Sequence, residues 1–139
     1  MQRITRSEKE TAALAKEFSK LVKPGSLILL VGDLGAGKTT FVKYLVKALK
    51  IRAEVLSPTF VLERIYANKK LEVHHYDLYR LEDENALEDL NILENLDGGC
   101  ICIIEWPDVA KKILPKEKII VKIEKISDNE RKFKVEVEK

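Results

Sequence analysis

Long apolar runs are missing from this chain of 139 residues: nothing approaches the roughly 18 consecutive apolar residues that a membrane-spanning helix needs. The opening MQRITRSEKE is polar where a secretory signal would be apolar, so a cytoplasmic location is expected and membrane attachment is not. Cysteine occurs only twice, and Cys100 and Cys102 alternate along one apolar segment, which points both to one face of a strand. A C-x-C with no further Cys or His at ligand spacing falls short of a metal or redox site, so both are read as small buried apolar side chains. A surplus of either charge is absent as well. Lys+Arg 25 against Asp+Glu 23 leaves a net +2, which exerts no general pull on nucleic acid or membrane, although local patches are allowed. Gln occurs once, at Gln2, while Lys and Glu dominate a charged fraction of 35%, a balance seen in proteins from hot environments. Repeats and low-complexity linkers are lacking too. The length suits one domain, 1–139, with a single core and no separate substrate domain.

What is present is periodic. Ser7-Glu8-Lys9-Glu10 has capping-box spacing, and Ala12, Leu14, Ala15, Phe18, Leu21 and Val22 follow at helical intervals up to Pro24-Gly25. Leu27 to Val31 is short and continuously apolar, as in a parallel strand covered on both faces. Phe41, Leu45, Val46, Ala48 and Leu49 predict a second helix, and Pro58 breaks the segment after it. Val61 to Tyr66 and Leu71 to Asp77 predict two strands joined by the turn Ala67-Asn68-Lys69-Lys70. A helix is predicted over about 82–94, ended by Asp97-Gly98-Gly99, and Ile101 to Ile104 predicts a second buried strand closed by Glu105-Trp106-Pro107. In the tail, Ile119, Val121 and Ile123, then Phe133, Val135 and Val137, alternate with charges as in a half-exposed antiparallel hairpin.

Between the first apolar strand and the second helix lies GDLGAGKTT, residues 32–40. Gly32, four intervening residues and Gly37-Lys38-Thr39 match G-x-x-x-x-G-K-[ST] in the strand-to-helix context that motif requires. Glycines let backbone N–H groups turn toward a phosphate, and the following helix adds unpaired amides and a favourable dipole. Gly32, Asp33, Leu34, Gly35, Ala36, Gly37, Lys38, Thr39 and Thr40 are therefore the nucleotide-binding candidates, with Lys38 reaching the β- and γ-phosphates and the Thr39 hydroxyl on Mg²⁺. The fold class expected is α/β: a three-layer P-loop NTPase-like fold, with a mostly parallel central sheet flanked by helices and an antiparallel C-terminal hairpin.

Such a loop needs a carboxylate at the carboxyl end of an apolar strand to hold the metal, and Ile101-Cys102-Ile103-Ile104-Glu105 supplies Glu105; a solvated loop charge is the alternative. Asp77 ends another apolar strand, where it either joins the metal shell, orients the attacking water, or serves a turn or N-cap. Thr59, in a proline-stiffened loop between the P-loop helix and these carboxylates, is placed to sense γ-phosphate and metal. His75 is read as satisfying hydrogen bonds near the site, with His74 pointing the other way. Arg80 could face phosphate, a partner, RNA or a surface ion pair, and Trp106 is either core or contact.

Taken together, GDLGAGKTT, SPTF, HHYDLYRL and IIEWP, in this order over about Glu8 to Pro115, resemble the TsaE (YjeE) family of small P-loop ATPases. The resemblance implies a part in forming the N6-threonylcarbamoyl group on adenosine 37 of tRNAs that read ANN codons. The chain would be the ATP-hydrolysing subunit that serves a complex of TsaB and TsaD, meeting tRNA through that complex. It also implies catalytic roles for Lys38, Asp77 and Glu105, Mg²⁺ on Thr39 and Glu105, a switch-like segment at Ser57, Pro58 and Thr59, and a base pocket near Glu8 or Thr11. Asn91 stands where the family often has Gly, and the region after Pro107 lacks the family's usual acidic-basic pair.

Three competing functions remain at this stage. A small-molecule kinase would need a lid with paired arginines, whereas the six arginines here are isolated. A GTPase would read guanine with N-K-x-D, but Asn68-Lys69-Lys70-Leu71 ends in Leu71, so ATP is preferred. A nucleotide-dependent binding module with incidental hydrolysis is the third.

Overall fold

The computed structural model describes residues 1–58 and 61–139. Its elements in chain order are β1 (Gln2–Thr5), α1 (Glu8–Ser19), β2 (Leu27–Val31), α2 (Lys38–Ala48), β3 (Glu63–Ala67), β4 (Glu72–Asp77), a 3₁₀ turn (Glu84–Leu90), α3 (Ile92–Asp97), β5 (Ile101–Glu105), a second 3₁₀ turn (Pro107–Ala110), β6 (Lys118–Lys125) and β7 (Arg131–Glu138). One seven-stranded sheet runs β1-β7-β6-β2-β5-β4-β3. The four central strands β6, β2, β5 and β4 are mutually parallel, and antiparallel partners lie outside them.

The parallel core follows from its residues. LILLV and ICIIE are buried along almost their whole length, as strands with helices on both faces must be. On one face Ile28, Leu30, Ile101 and Ile103 pack with Leu14, Phe18, Phe41 and Leu45 from α1 and α2. On the other, Leu27, Leu29, Cys102 and Ile104 pack with Leu87, Ile92 and Ala110 from the two 3₁₀ turns and α3. The three expected layers are therefore present, with each strand's odd and even residues feeding different layers.

Several local expectations hold and several shift. Ser7 caps α1 by accepting from the Glu10 N–H at 3.1 Å, while Glu10 reaches back to the Arg6 N–H at 3.0 Å. The C-terminal hairpin is β6–β7, but β6 also pairs in parallel with β2, so the hairpin is part of the main sheet. Gln2–Thr5 was not anticipated as a strand; it completes the β7 edge, pairing Arg3 with Phe133. The helix expected over 82–94 is broken: a 3₁₀ turn ends at Leu90, Asn91 takes φ 55°, and α3 continues to Asp97. Asn tolerates this left-handed conformation, which glycine adopts freely. Cys102 is fully buried as expected, but Cys100 precedes β5, is half-buried and donates its thiol to Glu72 at 3.2 Å, so it is not a buried apolar side chain. Among the described residues, no helix is long and apolar enough to cross a membrane.

Phe41 links α2 to both neighbours, 5.3 Å edge-on from Phe18 in α1 and 5.5 Å from Phe133 in β7. Phe41→Ala should lower unfolding free energy by about 3–5 kcal/mol. Urea denaturation should show this as a lower midpoint at unchanged slope.

Candidate functional site

The loop leaves β2 at its carboxyl end and enters α2 directly. Gly35 (φ 79°) and Gly37 (φ 106°) lie in the left-handed region that β-carbons disfavour, and Ala36 N–H closes a turn on the Asp33 carbonyl at 3.0 Å. Gly32 is glycine for a different reason. A Cβ there would stand 2.5 Å from the Ile123 carbonyl oxygen of β6 and 3.2 Å from the Ala36 Cβ. Asp33, Leu34 and Gly35 form the exposed crest, Ala36 is buried beneath it, and Thr39 and Thr40 are half-buried on the first turn of α2. That first turn carries backbone N–H groups without helical acceptors, which makes it an anion-binding end.

Lys38, the first residue of α2, is buried. Its Nζ donates to the Gly32 carbonyl at 2.6 Å, lies 3.9 Å from Glu105 Oε1, and rests 4.0 Å above the Trp106 ring. Burial pulls the Lys38 ammonium below its ordinary range, opposed by the charges of Glu105, Asp77 and Asp33. An anion entering beside it would favour the charged form.

Register assembles the acidic side. Leu30 of β2 pairs with Glu105 of β5, and Glu105 pairs with Asp77 of β4, so both carboxylates end parallel strands on the loop's edge of the sheet. Both are buried, which overturns the alternative of Glu105 as a solvated loop charge. Glu105 Oε2 is held 2.5 Å from His75 Nε2. His75 is itself fully buried, and among the described residues its Nδ1 has no hydrogen-bond partner. Asp77 serves the turn that was one of its alternatives, accepting from the Tyr79 N–H at 2.9 Å, and also faces the cleft. Trp106 is half-buried with φ 56°, a left-handed position that is costly for a bulky residue; the turn throws its ring between Lys38 and Tyr79, 4.8 Å from the latter.

These groups enclose a cleft of about 310 Å³ between Gly37, Lys38, Thr39 and Thr40 on one side and Asp77, Glu105 and Trp106 on the other, with Ser57 at its rim. Pro58 is buried; Thr59, the third member of the switch-like segment, lies outside the described residues. A neighbouring cleft of about 230 Å³ is lined by Glu8, Thr11, Thr40 and Phe133, where a base pocket was expected. Glu8 accepts from the Tyr44 hydroxyl at 3.1 Å and the Thr11 hydroxyl meets that of Thr5 at 2.9 Å. Arg80 is exposed and does not line the main cleft.

Sequence reasoning missed Arg131. This residue opens β7 and lines both clefts, where a Cβ on Gly37 would stand 3.4 Å from its Nε. Carbonyls of Ser127 and Glu130 accept from its Nη1 at 2.7 and 3.0 Å and fix its direction. No local pattern marks a lone arginine ahead of an alternating strand, because only the parallel pairing of β6 with β2 sets the β6–β7 hairpin, and Arg131 with it, over the loop.

A cation at a helix N-terminus, opposite two buried carboxylates and a hydroxyl, can hold a polyanion with an oxygen-liganded hard dication. The two glycine constraints predict different outcomes. Gly35→Ala meets no atom within 4 Å and bears only its left-handed strain, roughly 1–2 kcal/mol. Gly32→Ala must move loop and β6 apart and should lower the thermal midpoint further; scanning calorimetry of the two variants side by side reads the order.

The family model described as "Threonylcarbamoyl adenosine biosynthesis protein TsaE" matches residues 5–133. The chain is 41% identical to the tRNA threonylcarbamoyladenosine biosynthesis protein TsaE of Bacillus subtilis, over 93% of this chain and 80% of that protein. It is 40% identical to the protein of that description from Aquifex aeolicus, over 95% and 92% of the two chains. The fold is similar to the crystal structure of Bacillus subtilis YdiB, with a TM-score of 0.81 at 31% identity, covering 99% of this chain and 84% of the other.

Proposed function

Since the chain belongs to the TsaE family, we propose that it is the Mg²⁺-dependent, ATP-binding and ATP-hydrolysing subunit that supports N6-threonylcarbamoyladenosine formation at position 37 of tRNA. The observation that carries this reading is the placement of Lys38: a buried ammonium at the N-terminus of α2, facing Glu105 across a cleft that Asp77 shares. In this reading Lys38 exchanges its bond to the Gly32 carbonyl for phosphate oxygens, and the amides of residues 32–40 hold the rest of the triphosphate. Arg131 and the cleft by Glu8 and Thr11 border the nucleoside end.

Thr39 and Glu105 hold Mg²⁺, an oxygen-only pair suited to that ion, which when bound neutralises charge on the β- and γ-phosphates. His75 keeps the Glu105 carboxylate turned into the cleft. Asp77 orients the attacking water or accepts its proton, from a position one strand over. Ser57, Pro58 and Thr59 form the segment that responds to the γ-phosphate. The protein works in the cytoplasm with TsaD- and TsaB-like proteins and reaches tRNA through that complex.

Phosphate release should rise sharply when TsaB and TsaD are added; radiolabel appearing instead on a nucleoside or sugar would make the protein a kinase. Lys38→Ala should weaken ATP binding by about 10–100-fold while leaving the thermal midpoint of the free protein near its original value, which calorimetry reads. Glu105→Ala should retain ATP binding yet release phosphate at least about 10²-fold more slowly. An unaltered rate would remove Glu105 from the reaction.

A further inference from the structure

The amino ends of β4 and β5 carry a second cluster that nucleotide binding does not use. Glu72 and His74 share a face of β4 by two-residue alternation. Cys100 comes alongside because parallel register pairs Val73 with Ile101 and His74 with Cys102. Glu72 Oε2 is the common partner, 2.7 Å from His74 Nε2 and 3.2 Å from Cys100 Sγ. Sulfur, imidazole nitrogen and carboxylate oxygen all lie within 4.8 Å of one another. On the far side of the imidazole, Nδ1 stands 2.8 Å from Glu63 Oε2 of β3.

Thiolate, imidazole and carboxylate together are a donor set for zinc. Tetrahedral bonds of Zn–S about 2.3 Å and Zn–N or Zn–O about 2.0 Å separate such donors by roughly 3.3–3.5 Å. Set against the observed 2.7 and 3.2 Å, an ion asks Glu72 to draw back from His74 by about 0.6 Å and from Cys100 by about 0.3 Å, while sulfur and imidazole, within 4.8 Å of each other, settle at about 3.5 Å. Glu72 has room to do so, since its side chain is half exposed, whereas His74 is held at 7%. Glu63 already stands at the orienting position: in the tautomer with the proton on Nδ1, Glu63 accepts from it and the Nε2 lone pair faces the ion.

We propose that Glu72, His74 and Cys100 form a zinc site, closed by water at the fourth position, that ties the β3–β4 hairpin to β5 at the edge of the sheet opposite the nucleotide loop. Along β4, three residue steps, about 10 Å, separate His74 from Asp77, and five, about 16 Å, separate Glu72 from it. The exchange balances: as Zn²⁺ binds, the Cys100 thiol gives its proton to solvent, and a proton on His74 Nε2 leaves with it or moves to Nδ1. Cys102 lies one alternation deeper, fully buried, and takes no part.

Co²⁺ is the probe, titrated into the metal-free full chain without nucleotide or Mg²⁺. One equivalent should produce thiolate-to-cobalt charge-transfer absorption, and Zn²⁺ should bleach it. Cobalt bound by Thr39 and Glu105 cannot give this band, because that pair offers no sulfur. Cys100→Ser should abolish the band, and Glu72→Gln, at an exposed position, should weaken cobalt binding at least tenfold. No such band in the parent protein, a band that survives Cys100→Ser, or unchanged affinity in Glu72→Gln overturns the site.

Discussion

A buried ammonium is the most demanding group in this fold, and the layout of one sheet edge follows from it. Taking a charge out of water costs several kcal/mol unless partners replace the lost hydration. Lys38 finds three: the Gly32 carbonyl, Glu105 and the face of Trp106. They do not fully compensate, since burial still lowers its pKa. Its position at the start of α2 adds to the imbalance, because the helix dipole places partial positive charge at that same end. Two sources of positive potential thus converge where Glu105 and Asp77 supply the opposing charge, and the space between them favours a ligand that is anionic toward the helix and cationic toward the strands.

The carboxylates reach that space through register alone. Leu30, Glu105 and Asp77 form one row across β2, β5 and β4, so the sheet offers two acids side by side where its parallel strands end. Beyond the row the chain must turn without obstructing the loop. Trp106 does so in a left-handed conformation that would be costly elsewhere and that here directs its ring onto Lys38 and Tyr79. The strained backbone, the cation–π contact and the Lys38–Glu105 pair are therefore linked, and changing Trp106 would disturb all three.

What could be read from the chain beforehand was whatever depends on near neighbours. The loop was legible because its strand, glycines and helix are contiguous, and the two apolar strands because burial on both faces leaves continuous apolar runs. Glu105 was legible from its place at the end of such a run. Gln2–Thr5 was not, since three of its four side chains are exposed and only the β7 edge makes it a strand. The break at Asn91 was hidden by a helical pattern that continues on both sides of it. Arg131 and the meeting of Cys100 with His74 were beyond local reading, because each depends on pairing between segments far apart in sequence.

The segment EVHHYD shows how much rests on that pairing. Its adjacent histidines have opposite fates: His75 faces the α1–α2 side and holds Glu105, while His74 faces the α3 side between Glu63 and Glu72. A slip of β4 by one residue would exchange them, sending His75 and Asp77 to the wrong face and Tyr76 into the cleft side. Alternation offers little protection on its own, since both faces of this strand are buried. The specificity comes from shape and polarity at each position. Tyr76 fits the α3 face because its hydroxyl reaches the Leu90 carbonyl at 3.1 Å, and Val73 fits the α1–α2 face as a small apolar side chain. The backbone adds a further lock where Asp77 N–H donates to the Leu62 carbonyl at 2.9 Å. The interactions that keep β4 in register are thus the ones that deliver a carboxylate to the nucleotide cleft and an imidazole to the opposite end of the sheet.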